Sequence, residues 1–456
     1  MSGFDDFKRY IKGKKVAVVG IGVSNIPLIR FLVKLEAHVT AFDKKESFQL
    51  GDLYGEFLNS GVELSLGKEY LNNLKGFDVV FKTPGMRIDC LELLDAKKNG
   101  AYVTSEIEEF VRYCRADIIA VTGSDGKTTT TSIISELLKA QGYKVWTGGN
   151  IGTPLFSCIE DVMEGDKVVL ELSSFQLMTM KLPVNIAIVT NVTPNHLDIH
   201  KDMDEYIRAK ENVFKYQNDN GLLILNKDND ITNRFAAHAK GIVRYFGISD
   251  DKSYAKVVND NIIVNDEFVC KVEDVLLKGK HNLENYLAAF SATKDLVELD
   301  TMRKIAMNFS GVEHRCEFVK KVDGVEFYND SIASTPTRTL AGLKTFGKKV
   351  ILIAGGYDKK IELDSLAEEG YKYIKELIVM GDTKEKIIDI FESIMKKESI
   401  YIPISKAFSM EEAVYLAKKN AVIGDIVVLS PACASFDMYR NFEERGKVYK
   451  GFVNRL

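Results

Sequence analysis

Short apolar runs recur along the chain, each closing on a glycine-rich or polar turn and followed by an amphipathic stretch. Such alternation of buried-type strands with helices predicts an α/β protein with mostly parallel sheets. Lys15–Val19 (KVAVV) reads as a strand that meets Gly20-Ile21-Gly22. An apolar helix follows from about Ile26 to Leu35, and a second strand, His38–Phe42, ends at Asp43. Val79–Phe81 is a further strand, leading into Thr83-Pro84-Gly85. A new unit opens near Glu106. Its strand Asp117–Thr122 (DIIAVT) runs into Gly123-Ser124-Asp125-Gly126-Lys127-Thr128, and the helix Thr128–Ala140 stops before Gly142, as helices do. Val168–Leu172 and Val184–Thr190 have the composition of buried strands. A third unit, from about Glu313, carries strands at Val325–Tyr328, Lys349–Ala354, Leu377–Met380 and Ile426–Leu429. The pattern predicts three domains, 1–106, 107–311 and 312–456.

Charge and cysteine usage narrow the function classes. With 61 basic and 65 acidic residues interspersed, the formal net charge is −4, and no dense basic face for nucleic acid emerges. A small anionic substrate is still compatible, because local clusters decide that. The cysteines at 90, 114, 158, 270, 316 and 433 are scattered, and none are paired at C-x-x-C spacing. That argues against a disulfide framework or a zinc site and suits a reducing cytosol. The opening MSGFDDFKRYIKGKK is charged and lacks the apolar core of a signal peptide. No apolar run approaches the ~20 residues that span a bilayer.

The chemistry-bearing segments lie at predicted strand ends. Gly123–Thr129 (GSDGKTT) stands between a strand and a helix, the context of a phosphate loop. Glycines there let backbone N–H groups turn around phosphate oxygens, and the helix N-terminus adds favourable potential. Lys127 is placed to reach the outer phosphates of ATP and Thr128 to ligate Mg²⁺. The longer Walker pattern is not met, since Val121 stands where its first glycine belongs. Glu171, closing the strand VVLEL, faces the ligand crevice of such a sheet and is a candidate Mg²⁺ ligand. Asn191–His200 (NVTPNHLDIH) offers His196 and Asp198 as ligand or metal contacts; His200 reads equally as a solvated loop residue. Taken alone, Lys210 is a surface lysine on a helix that starts near Met203. Asp43 lies ~20 residues beyond Gly22, where a dinucleotide fold places a ribose-binding acid. Asn25 replaces the third glycine of that fingerprint, so a diphosphate site and a purely structural turn fit equally well.

Together these segments resemble the Mur ligase family. The resemblance rests on GSDGKTTTT (Gly123–Thr131), GGNIG (Gly148–Gly152), ELSSFQL (Glu171–Leu177) and NVTPNHLDIH (Asn191–His200). It continues through YIRAKENVF (Tyr206–Phe214), GKHNLENYLAA (Gly279–Ala289), HRCE (His314–Glu317), YNDS (Tyr328–Ser331) and SPACASFDMYRNFEERG (Ser430–Gly446). It implies a Rossmann-like first domain, a central phosphate-loop ATPase domain and a Rossmann-like third domain. The opening and the SPACAS…NFEERG ending resemble the members that add D-glutamate to UDP-N-acetylmuramoyl-L-alanine. The expected protein is therefore a cytoplasmic, monomeric, ATP-dependent amide ligase of peptidoglycan precursor synthesis, working through an acyl phosphate.

The resemblance also implies roles. Gly123, Ser124, Asp125, Gly126, Lys127, Thr128 and Thr129 would cradle ATP phosphates, Asn282 and Asn285 would lie near adenine, and Arg315 and Asp330 would contact γ-phosphate and ribose. Two Mg²⁺ ions would be held by Thr128, Glu171, His196 and Lys210, the last N-carboxylated. Val23, Ser24, Asp43 and Gly85 would line the uridine diphosphate site, and Asn150 would touch the muramoyl group. Ser334, Lys359, Ser435 and Phe442 would hold D-glutamate. The chain departs from the family's D-S-K-A-T-N, reading Asp330-Ser331-Ile332-Ala333-Ser334-Thr335. A lysine is thus missing at Ile332. Arg338, in the first turns of a helix opening at Pro336, is the candidate replacement, with Lys360 as its competitor; Arg338 reads equally as a solvated helix residue.

Overall fold

The computed structural model describes residues 3–194, 199–359 and 362–456. They form two compact units, Met1–Asn308 and Phe309–Leu456.

The first unit holds two sheets. A five-stranded, all-parallel sheet runs in spatial order Glu63–Leu66, His38–Asp43, Lys15–Val19, Val79–Phe81, Tyr102–Thr104. Side chains alternate across a strand, and both faces are buried here: Val16 and Val18 join one apolar cluster, Ala17 and Val19 another. That explains why KVAVV reads as a continuous apolar run. The charged opening segment is a helix, Phe4–Ile11, whose Phe4, Phe7 and Ile11 are buried. Phe4 and Phe7 pack with Phe31, Tyr113 and Phe156, as close as 5.2 Å between ring centroids, and this cluster belongs to a core shared by both sheets.

The second sheet has nine strands. Asp117–Thr122 lies between Lys167–Glu171 and Ile186–Val189, all parallel. Val145–Gly149 extends one side; Leu222–Asn226 and Ile242–Gly247 extend the other. Strand order therefore reverses about Asp117–Thr122, which opens a crevice at the strands' C-terminal ends. Beyond Ile242–Gly247 comes a meander that strand–helix alternation does not predict: Ala255–Val258, Asn261–Val264 and Glu267–Lys271, paired antiparallel to one another. Its turns carry Asn259-Asp260 and Asn265-Asp266 at positive φ, which matches the right-handed twist of hairpin strands.

The second unit has one six-stranded sheet, ordered Glu317–Val322, Val325–Asn329, Ile426–Leu429, Val350–Ala354, Ile374–Val379, Ile404–Lys406. Its first pair is antiparallel and the others are parallel. In Val350–Ala354, Ile351 and Ile353 face one cluster while Leu352 and Ala354 face the other. Most predicted elements recur within one or two residues. The helix expected from Thr128 begins at Lys127, and the strand expected over 184–190 spans Ile186–Val189.

Candidate active site

The candidate phosphate loop, Gly123–Thr129, turns on two glycines at positive φ, where side chains are strained. Gly126 has φ +78° and caps the helix Lys127–Ala140; a Cβ there would lie 2.3 Å from Asn285 Oδ1. A Cβ on Gly123 would lie 1.9 Å from Thr190 Oγ1. Hydrogen bonds hold the loop from both sides. Ser124 Oγ donates to Thr193 O (2.9 Å) and lies 3.0 Å from the Tyr206 hydroxyl. Asp125 N donates to Asn191 Oδ1 at 2.9 Å, and Asp125 O accepts from Thr190 Oγ1 at 2.6 Å. Thr128 is buried just inside the helix and Thr129 is half-buried. Thr130 Oγ1 donates to Asn285 Oδ1 (3.2 Å), and Asn285 Nδ2 to Asn282 Oδ1 (3.3 Å). Asn285 of the helix Lys280–Thr293 thus backs directly onto the loop's helix, with Asn282 behind it.

Two lysines converge on one carbonyl. Lys127 Nζ donates to Gly123 O at 3.0 Å and Ser124 O at 2.8 Å; Lys210 Nζ donates to the same Gly123 O at 2.7 Å. Lys210 is not the surface residue its helix position suggested: it is 1% exposed, on the buried face of Met203–Lys215. Burial, reinforced by the charge of Lys127, pushes its ammonium well below the usual lysine range. Glu171 pairs in register with Val121, two residues before the loop, and is equally buried. Its Oε1 accepts from Asn150 Nδ2 at 2.7 Å, while Oε2 is buried without a hydrogen-bond partner. Asn150 therefore orients this carboxylate, and its own N–H donates to Glu171 O at 2.7 Å. His196 and Asp198 lie outside the described residues. His200, which read as a possible solvated residue, is 2% exposed, with Nε2 2.9 Å from Ser174 Oγ.

The five-stranded sheet gathers Ser24, Asp43 and Gly85 at adjoining strand ends. Asp43 is buried, and its carboxylate accepts from Ile21 N (2.6 Å) and Lys45 N (2.9 Å). Asn25, at the missing third glycine, donates to Val19 O and Gly20 O at 3.0 and 2.9 Å. Both residues visibly pin the turn. Val23 is 79% exposed beside it, and Gly85 is exposed.

In the second unit the candidates fall at the C-terminal ends of three neighbouring strands. Asp330 is buried, accepting from Cys316 N (3.1 Å) and Ser430 Oγ (2.7 Å); burial pushes it up to about 6. Arg315, one residue before Cys316, is exposed. Ser334 is half-buried, Ser435 buried and Lys359 exposed; Lys360 is outside the described residues. Phe442 starts the helix Phe442–Arg455, and its carbonyl accepts from Ser331 Oγ at 2.8 Å. Arg338 lies in the first turn of the helix Pro336–Lys344, exposed.

Sequence reading missed Arg445. Its guanidinium, 2% exposed, donates from Nε to Ser331 Oγ (3.0 Å), from Nη2 to Ser331 O (2.9 Å) and from Nη1 to Cys433 O and Ala434 O (3.1 and 2.9 Å). It ties together the Ser331 turn and the Cys433-Ala434 segment, the two walls that carry Ser334 and Ser435. Burial lowers it to about 10, still a cation at neutral pH. The signal was its place on a buried stripe with Tyr449 and Val453 at four-residue spacing.

Comparison with known proteins agrees with this construction. The Mur ligase MurD-like N-terminal domain matches residues 14–105, the Mur ligase middle domain 121–293, and the Mur ligase glutamate ligase domain 314–433. The UDP-N-acetylmuramoylalanine–D-glutamate ligase of Clostridium beijerinckii is 60% identical over 456 residues, covering 99% of each chain. That of Clostridium perfringens is 59% identical over 454 residues, again 99% of each. Among solved structures, the UDP-N-acetylmuramate–alanine ligase of Thermotoga maritima shares the fold, with TM-score 0.55 and 18% identity over 97% of this chain and 99% of that one. With three matched domains covering most of its length and relatives this similar from end to end, the chain belongs to the Mur ligase family.

Proposed function

We propose that this protein is the ATP-dependent ligase that joins D-glutamate to UDP-N-acetylmuramoyl-L-alanine in peptidoglycan precursor synthesis. The supporting observation is that Gly123–Thr129 and Glu171 meet at adjoining strand ends with Lys210 of the helix Met203–Lys215 reaching Gly123 O, in a chain about 60% identical along its length to ligases of that name.

The chemistry follows from the substrates. A carboxylate resists amine attack because oxide would have to leave. Transfer of the ATP γ-phosphoryl group to the alanyl carboxylate gives an acyl phosphate and ADP. The neutral amine of D-glutamate then attacks the acyl carbon, the C–N bond forms, phosphate leaves and the amine gives up a proton. The first step brings two anions together, so positioning and charge compensation carry most of the catalysis. Backbone N–H groups of Gly123–Thr129 and the Lys127 ammonium receive the phosphates. Asn282 and Asn285 lie toward adenine, and Arg315 and Asp330 serve γ-phosphate and ribose. Ser24, Val23, Asp43 and Gly85 receive the uridine diphosphate, with Asn150 near the muramoyl group.

Mg²⁺ fits the residues present. A buried carboxylate oxygen without a partner, Glu171 Oε2, and the buried Thr128 hydroxyl are hard oxygen donors of the kind Mg²⁺ takes alongside phosphate and water. The ion supplies charge compensation on the transferring phosphate. A second ion would be held by His196 and an N-carboxylated Lys210. In support of the carbamate, Lys210 is buried, its hydrogen-bond acceptor is a neutral carbonyl, and a deprotonated amine is the form that captures carbon dioxide. Ser334, Lys359, Ser435 and Phe442 hold D-glutamate, with Arg338 standing in for the lysine absent at Ile332. We assign the protein to the cytoplasm as a monomer; among the described residues no helix is long and apolar enough to cross a membrane.

Lys127→Ala tests the phosphate site. It should abolish product formation while calorimetry shows UDP-precursor binding nearly unchanged. Ligation persisting at more than a few per cent would move the ATP site elsewhere.

A further inference from the structure

Arg87 stands two residues beyond Gly85, at the ligand edge of the five-stranded sheet, and reaches across to the nine-stranded one. On its own side it forks onto Asp89, Nε to Oδ1 at 2.8 Å and Nη2 to Oδ2 at 2.9 Å. On the other side Nη1 donates to Ile199 O (2.6 Å) and Glu205 Oε2 (3.1 Å), and Nη2 to Glu205 Oε1 (3.0 Å). Lys201 closes the ring: its Nζ meets Asp89 Oδ2 at 2.9 Å and its backbone N–H donates to Glu205 Oε2 at 2.8 Å. Two cations and two carboxylates balance, and four of these contacts are forked guanidinium–carboxylate bonds, the geometry that fixes direction as well as distance. The Arg87 side chain is 25% exposed and Glu205 19%, so the network is only partly screened by solvent.

The network does not stop at Glu205. His200 Nδ1 lies 3.4 Å from Glu205 Oε2, and His200 Nε2 is 2.9 Å from Ser174 Oγ, three residues past Glu171. The His200 ring stacks on Phe175 at 5.1 Å and meets Tyr206 edge-on at 5.2 Å. Tyr206 in turn touches Ser124 of the phosphate loop at 3.0 Å, and its ring lies 4.5 Å from Lys210 Nζ. One continuous chain of contacts therefore runs from the precursor loop through Arg87, Glu205 and His200 to the segments bearing Glu171, Lys210 and Ser124. Rigid packing plus forked ion pairs is the kind of support that holds a catalytic constellation within the fraction of an ångström it needs.

We infer that Arg87 is a positioning residue for the ligation step: it locks the 199–206 segment, and with it the helix of Lys210, to the precursor-binding edge of the first sheet. This rests on the ligase reading above. With the precursor at Gly85 and the phosphates at Gly123–Thr129, as in the ligase reading, Arg87 ties together the two segments that would receive them. Arg87 itself touches protein groups on both flanks.

The test compares Arg87→Ala, Arg87→Lys, Glu205→Gln and Arg87→Ala/Glu205→Gln with the parent chain, using UDP-N-acetylmuramoyl-L-alanine, ATP, Mg²⁺ and D-glutamate. Misplacing a catalytic group by about 1 Å costs up to ~100-fold, so Arg87→Ala should lower kcat about 10- to 100-fold, with the KM values for ATP and D-glutamate changed less than about twofold. Arg87→Lys keeps the charge but not the fork and should recover less than half of that loss. The double variant should be no slower than Arg87→Ala alone, because both changes break the same link. A kcat within twofold of the parent in Arg87→Ala overturns the inference. So does a rise confined to the precursor KM, which would make Arg87 a direct precursor contact, or multiplicative losses in the double variant. If Arg87→Ala fails to fold, Arg87→Lys and Glu205→Gln decide on the same criteria. Absence of turnover by the parent chain would instead refute the ligase reading.

Discussion

Glu171→Gln should make the protein no less stable while largely destroying its activity. The side chain is 1% exposed, Oε1 accepts from Asn150 Nδ2 at 2.7 Å, and Oε2 has no hydrogen-bond partner. A buried polar atom left unsatisfied costs roughly 1–3 kcal/mol, and more when the group is charged. Glutamine is nearly isosteric. Its amide oxygen still accepts from Asn150, and its nitrogen takes the orphaned position without a charge. The exchange loses a charge-assisted bond but removes part of the burial penalty, for a net change between zero and about 1 kcal/mol of stabilisation, or up to ~2 °C in the unfolding midpoint of a unit this size. Activity moves the other way. Loosening a Mg²⁺ that Glu171 would hold, and with it the compensation of transition-state charge, costs about 2.7–4 kcal/mol, which is 10²- to 10³-fold in kcat. Differential scanning fluorimetry with and without Mg²⁺–ATP, beside phosphate-release kinetics over a Mg²⁺ titration, reads both quantities. Loss of the Mg²⁺–ATP-induced midpoint shift should accompany the loss of kcat. A lowered midpoint with kcat within threefold of the parent would show that Glu171 only anchors Asn150, and would remove the argument for an ion at this strand end.

Lys210→Ala should be inactive and partly rescued by acetate, and intact-mass or density analysis of the parent should show carbon dioxide added at Lys210; full activity of the variant would sink the carbamate. Arg338→Ala should raise the KM for D-glutamate about ten- to a hundredfold, the worth of one lost charge-assisted bond, and leave the ATP and precursor constants alone; an unchanged KM would show that Lys359 or Lys360 suffices. Glu106, pushed up from 4.5 to about 7 by burial although Phe156 N donates to it at 2.7 Å, sets a pH dependence of stability. The folded chain keeps this proton where the unfolded chain has lost it, so the contribution to stability is full below about pH 4.5 and is lost as pH rises through about 7. Glu106→Gln should flatten the fall in unfolding midpoint between pH 5 and 8; an undiminished slope would place its origin elsewhere.

What the sequence disclosed tracks how strictly chemistry constrains it. The Gly123–Thr129 turn was legible because its glycines stand at positive φ, with Asn285 and Thr190 packed close against Gly126 and Gly123. KVAVV and VILIA were legible because strands buried on both faces have no polar side to confuse the reading. Lys210 looked like an ordinary surface helix lysine and Arg445 was not singled out, yet each sits on a buried stripe, Lys210 with Tyr206 and Val213, Arg445 with Tyr449 and Val453. Helical spacing held that information, but only tertiary packing says which face turns inward. The hairpins of 255–271 announced themselves in the Asn-Asp pairs at 259–260 and 265–266, a signal passed over because strand–helix alternation dominated the reading. Asp43 and Asp330 were singled out as ligand contacts; what the fold shows is that both brace their turns by accepting from backbone N–H groups.

The most direct test offers the protein UDP-N-acetylmuramoyl-L-alanine, ATP and Mg²⁺ with D-glutamate, L-glutamate, L-alanine or diaminopimelate in turn, following ADP release and the mass of the UDP-linked product. The account predicts ADP formation matched by an amide product of D-glutamate, at a rate well above any other acceptor. Product with another acceptor and none with D-glutamate, or ADP release without any amide, would contradict it.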